Sequence, residues 1–270
     1  MPAIDLARLR KQASRLADFF YVPDEFIKHL HAMLDFYVDR SIRTRQAAAP
    51  GTMLPTYHTP RAVIKQIQVE VARIAGDFPD ATLELADRLW DESYLELRLL
   101  AAFLLGRIPP EEGRLLARLT AWTGQIRDPK LRAELLSTSL ARMRKEAPGI
   151  FFDVIGEWLQ AGRTHLWSNG IQAILSAVSD PSFVNLPPVL KVIEPVLEAA
   201  PARLQVQIQE LVLALFASFP SETTYFLRQV LSNTSNPQTL VMFRRILPSL
   251  PAPLRRELEE FLTSRSISNL

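Results

Sequence analysis

Three tryptophans, Trp90, Trp122 and Trp158, recur along the chain at separations of 32 and 36 residues. Each lies near the end of an apolar segment with helical spacing, and a short polar turn and a second apolar segment follow it. Helix pairs that recur every ~30–40 residues are typical of repeat proteins, because one pair cannot bury both of its apolar faces alone. We therefore expect these tryptophans to lie in the core between repeats rather than to contact a ligand.

The placement of proline favours an all-α chain. The 270 residues include 20 prolines and only 9 glycines, and the prolines fall mostly between the apolar segments. Proline is tolerated in the first turn of a helix and in the turns between helices. No segment shows the sustained alternation of apolar and polar residues that is typical of a strand. The sequence therefore predicts a right-handed α-solenoid of antiparallel helix pairs, of the HEAT-like or ARM type.

The apolar spacing also predicts where the helices lie. The predicted helices span residues 4–20, 23–45, 61–75, 81–90, 94–105, 111–123, 129–145, 150–161, about 166–179, 187–199, 201–219, 221–231, 237–247 and 253–264. We expect residues 1–60 to form N-terminal helices with a long basic loop. Residues 61–270 are expected to form one continuous array of HEAT-like repeats.

Several classes of protein are disfavoured by what the sequence lacks. With no cysteine, the chain has no disulfide framework, thiol nucleophile or thiolate zinc site. It has no targeting segment at its start and no run of ~18 apolar residues, so we expect a soluble, cytoplasmic protein without a membrane partner. His29 and His31 are two apart on a predicted helix and face different directions, whereas His58 and His165 lie in turns. We therefore expect no metal and no cofactor.

Basic residues are unevenly distributed, although the net charge is only +2. Residues 41–69 contain no acidic side chain but include Arg43, Arg45, Arg61 and Lys65, which flank the longest predicted loop. The planar guanidinium group suits phosphate, so this patch is a candidate nucleic-acid-binding site. The alternative is that a codon usage rich in arginine explains the arginine content without a ligand.

Arg98 and Arg132 occupy corresponding positions near the starts of successive second helices. A row of arginines on one face could follow a phosphate backbone, which makes both residues candidates for nucleic-acid binding. The alternative is local ion pairing at the helix start, which contributes little. The local partners would be Asp91 or Glu96 for Arg98, and Asp128 or Glu134 for Arg132.

Two segments resemble a known family. Residues 85–106, LADRLWDESYLELRLLAAFLLG, and residues 155–175, IGEWLQAGRTHLWSNGIQAIL, are similar to the DNA alkylation repair (AlkD-like) superfamily of HEAT-like repeat proteins. The resemblance covers roughly residues 61–180. It implies a solenoid whose concave face holds duplex DNA by its phosphates. In active members it implies a glycosylase that releases cationic alkylated purines.

The resemblance also implies a catalytic aspartate beside tryptophans, and an arginine soon after the second tryptophan. The repeat that starts at Trp122 has no Trp-x-x-x-Asp arrangement, and Asp128 precedes Pro129 as a helix N-cap would. The residues after Trp167 are Ser-Asn-Gly, without the arginine. The third aromatic residue, expected within residues 205–216, is also absent. Asp128, Trp122 and Trp167 are therefore only weak catalytic candidates.

Three functions follow from these patterns. The first is a protein without catalytic activity that binds double-stranded DNA, or another macromolecule, on its concave face. The second is an active alkylpurine DNA glycosylase with a rearranged site. The third is a scaffold for a protein partner. The third is favoured by the acidic residues of the C-terminal half: Glu194, Glu198, Glu210, Glu222, Glu257, Glu259 and Glu260.

Overall fold

The computed structural model describes residues 5–38, 54–111, 113–199 and 201–268, and within these ranges every regular element is a helix. This confirms the predicted all-α class. The α-helices are α1 (Leu6–Ala17), α2 (Pro23–Phe36), α3 (Arg61–Ala75), α4 (Pro79–Trp90), α5 (Leu95–Leu105), α6 (Gly113–Gln125), α7 (Pro129–Ser139), α8 (Ala141–Glu146), α9 (Pro148–Trp158), α10 (Trp167–Val178), α11 (Leu186–Ala199), α12 (Gln205–Ser218), α13 (Pro220–Asn233), α14 (Pro237–Ile246) and α15 (Ala252–Ser268). Short 3-10 turns occupy Ala161–Arg163, Ala202–Leu204 and Leu247–Ser249.

Prolines and short polar side chains mark the positions at which many helices begin. Eight helices, α2, α4, α7, α9, α11, α13, α14 and α15, carry proline in their first turn, where a missing N–H donor costs little. Asp5, Asp128 and Asn236 cap α1, α7 and α14 by accepting hydrogen bonds from backbone N–H groups of the first turn. The polar residues and prolines between apolar runs therefore mark real helix boundaries.

The chain divides into two compact units, residues 1–148 and residues 149–270. In the first unit, α1, α3, α5 and α7 pack on one another in order, so that each helix contacts the helix two places along the chain. In the second unit, α10 packs on α12 in the same way. This is the packing that stacked helix pairs require. The predicted division at residue 60 stays a prediction.

All four tryptophans are buried, with 3–5% of their surface exposed. Trp90 at the end of α4 stacks on Trp122 of α6 with ring centroids 4.3 Å apart and planes 3° from parallel. The Trp90 indole also donates a hydrogen bond to Gln125 Oε1 at 3.4 Å. The prediction that the recurring tryptophans belong to the core is therefore confirmed.

The helices α3, α5 and α7 begin at one edge of the first unit. Leu95 N–H donates to Pro55 O at 2.9 Å, so the segment that leads into α3 lies beside the first turn of α5. At the opposite ends, Ser139 Oγ of α7 donates to Ala102 O of α5 at 3.1 Å. A Cβ atom at Gly106 would collide with Thr138 O, so only glycine permits this approach of α5 to α7. Because their last turns meet, α5 and α7 run in the same direction.

Three helix predictions were wrong in extent. The helix expected to reach Arg45 ends at Phe36, and the Tyr37 hydroxyl after it donates to Gln12 Oε1 of α1 at 2.6 Å. The helix expected over residues 129–145 is interrupted at Leu140, which has φ −91° and ψ 0°. The helix expected over residues 201–219 starts as a 3-10 turn and becomes α-helical at Gln205. These breaks depend on tertiary contacts and turn geometry, which the apolar spacing does not reveal.

Pro195 lies inside α11, contrary to the expected placement of prolines between helices. It is exposed on the helix surface. None of the helices in the described ranges has the length and apolar character needed to cross a membrane.

Candidate functional site

The first turns of α3, α5 and α7 form a feature that we call the amino-terminal edge. The first N–H groups of a helix have no partner within it, so each start carries a partial positive charge. Three such starts therefore lie along one side of the first unit. Residues 54–60, which precede α3, run beside the start of α5.

Two of the predicted basic residues lie on this edge. Arg61 is the first residue of α3 and Lys65 lies one turn later, and both side chains are exposed. Neither forms an ion pair with any residue in the described ranges. Arg43 and Arg45 fall within residues 39–53, which are outside the described ranges. Arg61 and Lys65 are thus available to a phosphate group at the start of α3.

Arg98 and Arg132 occupy equivalent places in α5 and α7. Arg98 Nε donates to Glu92 O at 2.8 Å, and Arg132 Nη2 donates to Ile126 O at 2.6 Å. Each guanidinium group thus holds a carbonyl six residues earlier, in the turn before its own helix. The Arg98 guanidinium group also lies 5.4 Å from the centre of the Trp90 ring. The two arginines therefore make equivalent contacts in α5 and α7, whereas their role in nucleic-acid binding stays a prediction.

Two further basic residues at the edge were missed in the sequence. Arg127 lies in the turn before α7, next to the capping residue Asp128, and Lys130 is the second residue of α7. Both side chains are exposed. Neither forms an ion pair within the part of the chain that the structure describes. The short stretch RDPK could have indicated them, because a cap next to proline places its neighbours at a helix start.

Aromatic side chains join the edge to α2. Tyr57 stacks on Tyr94, the residue before α5, with ring centroids 4.4 Å apart. His31 of α2 meets the edge of the Tyr94 ring at 5.7 Å. His31 Nδ1 lies 2.7 Å from Tyr57 Oη, and His31 Nε2 lies 3.3 Å from Glu92 Oε2. Three segments distant in sequence therefore meet at this cluster.

Tyr57 is protonated in this cluster at neutral pH. Burial, together with the neighbouring Tyr94, raises the pKa of Tyr57 to about 12. The Tyr57 hydroxyl and His31 Nδ1 form a hydrogen bond whose donor depends on the tautomer of His31, and His31 Nε2 faces the Glu92 carboxylate. This chain of hydrogen bonds holds residues 54–60 in place beside α5.

Glu96 and Thr56 complete the attachment of this segment. Thr56 Oγ1 donates to Glu96 Oε1 at 2.7 Å and accepts from His58 N–H at 3.1 Å. His58 has φ 54°, a left-handed backbone conformation that residues with a side chain adopt only when their surroundings hold them there. Glu96 is 7% exposed, so its carboxylate anchors the segment rather than facing solvent.

The weak catalytic candidates have structural roles. Asp128 is 4% exposed, and its Oδ1 accepts from Lys130 N–H at 2.9 Å and from Leu131 N–H at 3.0 Å, as predicted for an N-cap. Trp122 is held in the stack with Trp90. In the second unit, Trp167 Nε1 donates to Gln160 O at 2.9 Å.

Gly170 is the last of the three residues after Trp167 among which the resemblance implies an arginine. A Cβ atom at Gly170 would lie 2.5 Å from Leu159 Cδ2, so any larger side chain would displace Leu159. This position is therefore filled by apolar packing. Within the described ranges, no group of three or more His, Asp or Glu side chains could hold a metal ion.

The comparisons with known proteins agree with the geometry at the level of the fold. A family model described as DNA alkylation repair enzyme matches residues 58–205, more than half of the chain. No curated protein and no solved structure matches the chain. The matched residues begin at the segment before α3 and therefore include the whole amino-terminal edge.

We expect Asp128→Ala to lower the free energy of unfolding by about 0.5–2 kcal/mol, because two N–H groups of α7 lose their acceptor. Asp128→Asn keeps an acceptor at the same place and should remain close to the parent protein. Urea-induced unfolding followed by circular dichroism measures both variants. Equal destabilisation by Ala and Asn would contradict the capping role.

Proposed function

Since the chain belongs to the DNA alkylation repair enzyme family, its function is related to DNA repair, and we propose that it acts by binding duplex DNA along the amino-terminal edge. In the proposed function the protein binds DNA without releasing alkylated bases. Binding on a concave face stays a prediction, and the proposed surface is a defined set of residues at helix starts in the first unit.

One observation carries this proposal. The starts of α5 and α7 lie on the same side of the first unit, with the segment before α3 beside α5. Four exposed cations at α3 and α7 form no ion pair in the described ranges: Arg61, Lys65, Arg127 and Lys130. Helix starts bind phosphate because their N–H groups and dipoles point toward it. The first N–H groups of α3 would serve in this way, because Leu95 N–H of α5 donates to Pro55 O and the Lys130 and Leu131 N–H groups of α7 donate to Asp128. Lysine and arginine side chains add affinity through the release of counterions from DNA. The edge therefore combines two independent means of holding a phosphate backbone.

Two of the three acidic residues next to the start of α5 face other side chains of the protein. Glu92 Oε2 lies 3.3 Å from His31 Nε2, and the buried Glu96 accepts from Thr56 through Oε1. The third, Asp91, is exposed, so the cationic part of the edge lies at α3 and α7. The exposed charge at the starts of α3 and α7 comes mainly from Arg61, Lys65 and Lys130.

Two features support a function without base release. Asp128 is occupied by the α7 start, so its carboxylate is directed at backbone N–H groups. None of the three residues after Trp167 is the arginine that the family resemblance implies, and Gly170 among them packs against Leu159. A glycosylase must stabilise the positive charge that develops on the sugar as the base leaves, and a carboxylate directed at the protein's own backbone is not placed to do so.

Neutralising Lys65 and Lys130 tests the proposed binding surface. In Lys65→Gln and Lys130→Gln, the slope of log K against log salt should fall by about 0.9 for each lost phosphate contact, and affinity should fall on all duplex sequences alike. Fluorescence anisotropy with a labelled duplex at several salt concentrations gives the slope. Arg73→Gln is the matched control, because Arg73 lies near the other end of α3 and pairs with Glu70. An absence of binding at low salt, or an equal effect of Arg73→Gln, would refute the edge as the site.

The second candidate, an alkylpurine DNA glycosylase, is favoured by the description of the matched family. We expect no release of methylated bases from duplex DNA above the rate without protein. The assay separates free base from DNA by chromatography. Base release that disappears in Asp128→Asn, a variant that keeps the helix cap, would show that this carboxylate is catalytic.

A further inference from the structure

The second unit has two adjoining clefts on either side of α11. One, of about 780 Å³, lies between α11 and α13, and the other, of about 700 Å³, lies between α9 and α11. Pro187 and Lys191 line both clefts, which therefore adjoin at the start of α11. We call this surface the acidic cleft.

The residues that line the cleft between α11 and α13 recur three or four positions apart on each helix. On α11, Pro187, Leu190 and Glu194 lie in one row over two turns, and on α13 the row is formed by Glu222 and Tyr225 with their neighbours. Two turns of helix span ~11 Å. A groove with parallel rows of this kind accommodates the side chains of a third helix at i, i+3, i+4 and i+7.

Apolar side chains are unusually exposed here. Tyr225 is 73% exposed, and Val184, which lies before α11, is 82% exposed. Phe152 of α9 and Phe219, which precedes α13, contribute further aromatic surface to the two clefts. Exposed apolar surface bordered by charged residues is typical of a protein interaction site.

The charges of the cleft are strongly unbalanced. Four carboxylates and a single lysine line the two clefts. Glu157 lies 3.6 Å from Arg163, whereas the other three carboxylates form no ion pair within the described ranges. The carboxylates are Asp153, Glu157, Glu194 and Glu222, and the lysine is Lys191. An occupant of this surface must therefore bring positive charge.

We propose that the acidic cleft binds a basic amphipathic helix of a partner protein. The apolar face of such a helix would cover Tyr225 and Leu190, and its basic residues would meet Glu194 and Glu222 on opposite walls. Charge complementarity selects this occupant over the alternatives. DNA would be repelled by the carboxylates, and a second copy of the chain would bring the same carboxylates against each other.

This inference is independent of the proposed DNA binding. The amino-terminal edge belongs to residues 1–148 and the acidic cleft to residues 149–270. Substitutions in the cleft leave Lys65 and Lys130 unchanged. Failure of one proposal therefore says nothing about the other.

A synthetic peptide tests the cleft with the full chain. The probe is a labelled peptide of about 18 residues, with leucine at i, i+3, i+4 and i+7 and lysine elsewhere. One comparison peptide has the same composition in scrambled order, and the other has glutamate in place of lysine. Binding is measured by fluorescence anisotropy, and we expect it for the basic amphipathic peptide alone.

Substitutions in the acidic cleft then show where the peptide binds. Tyr225→Ala and the double variant Glu194→Gln with Glu222→Gln should each weaken binding about tenfold, as expected for residues at the centre of an interface. Glu210→Gln, which removes an exposed carboxylate on α12, is the matched control and should bind within about twofold of the parent protein. Because Tyr225, Glu222 and Glu210 are exposed, these variants should fold normally.

Several results would overturn the proposal. These are equal binding of the scrambled or acidic peptide, or binding that Tyr225→Ala and the double variant leave unchanged. A third result concerns a different occupant. If sedimentation shows that the parent protein is a dimer and that Tyr225→Asp makes it monomeric, then the cleft is filled by a second copy of the chain.

Discussion

The stacking of Trp90 on Trp122 joins successive helix pairs in the first unit, the unit to which the amino-terminal edge belongs. The two parallel rings hold α4 against α6. Ion pairs cross the same helices: Arg118 to Asp87 at 2.7 Å and Arg114 to Asp80 at 2.7 Å. Exposed ion pairs contribute at most ~1 kcal/mol, whereas truncation of a buried tryptophan typically costs ~3–5 kcal/mol. Apolar packing therefore stabilises the contact between α4 and α6 more than the ion pairs do. The ion pairs help to fix the position of one helix along the other.

Much of this arrangement could be predicted because it is local. The spacing of the tryptophans follows from the repeat, and the role of Asp128 follows from its position before proline, so both were confirmed. The cluster of Tyr57, His31 and Glu92 could not be predicted, because its hydrogen bonds join residues 26 and 61 positions apart. No periodicity connects such residues. They meet only because α2, residues 54–60 and the turn before α5 are packed together.

The two units have surfaces of opposite character on one type of scaffold. In the first, exposed cations at helix starts suit an anionic polymer. In the second, a cleft with Glu194, Glu222 and Tyr225 suits a basic helix. A family scaffold can keep its packing while the side chains at its surface change, since buried contacts determine the fold and surface positions are free to vary. Gly170 is one of the buried contacts that determine the packing, because a Cβ atom there would collide with Leu159.

Hydrogen–deuterium exchange with and without duplex DNA tests most directly the claim that helix starts of the first unit hold phosphate. The first N–H groups of α3 have no partner within the helix, so they exchange rapidly in the free protein, whereas Leu95 N–H at the start of α5 already donates to Pro55 O. The account predicts slower exchange in the first turns of α3 and α7, beside Lys65 and Lys130, when DNA is added, with unchanged exchange in α11 and α13. Slower exchange confined to the second unit, with the starts of α3 and α7 unaffected, would contradict it.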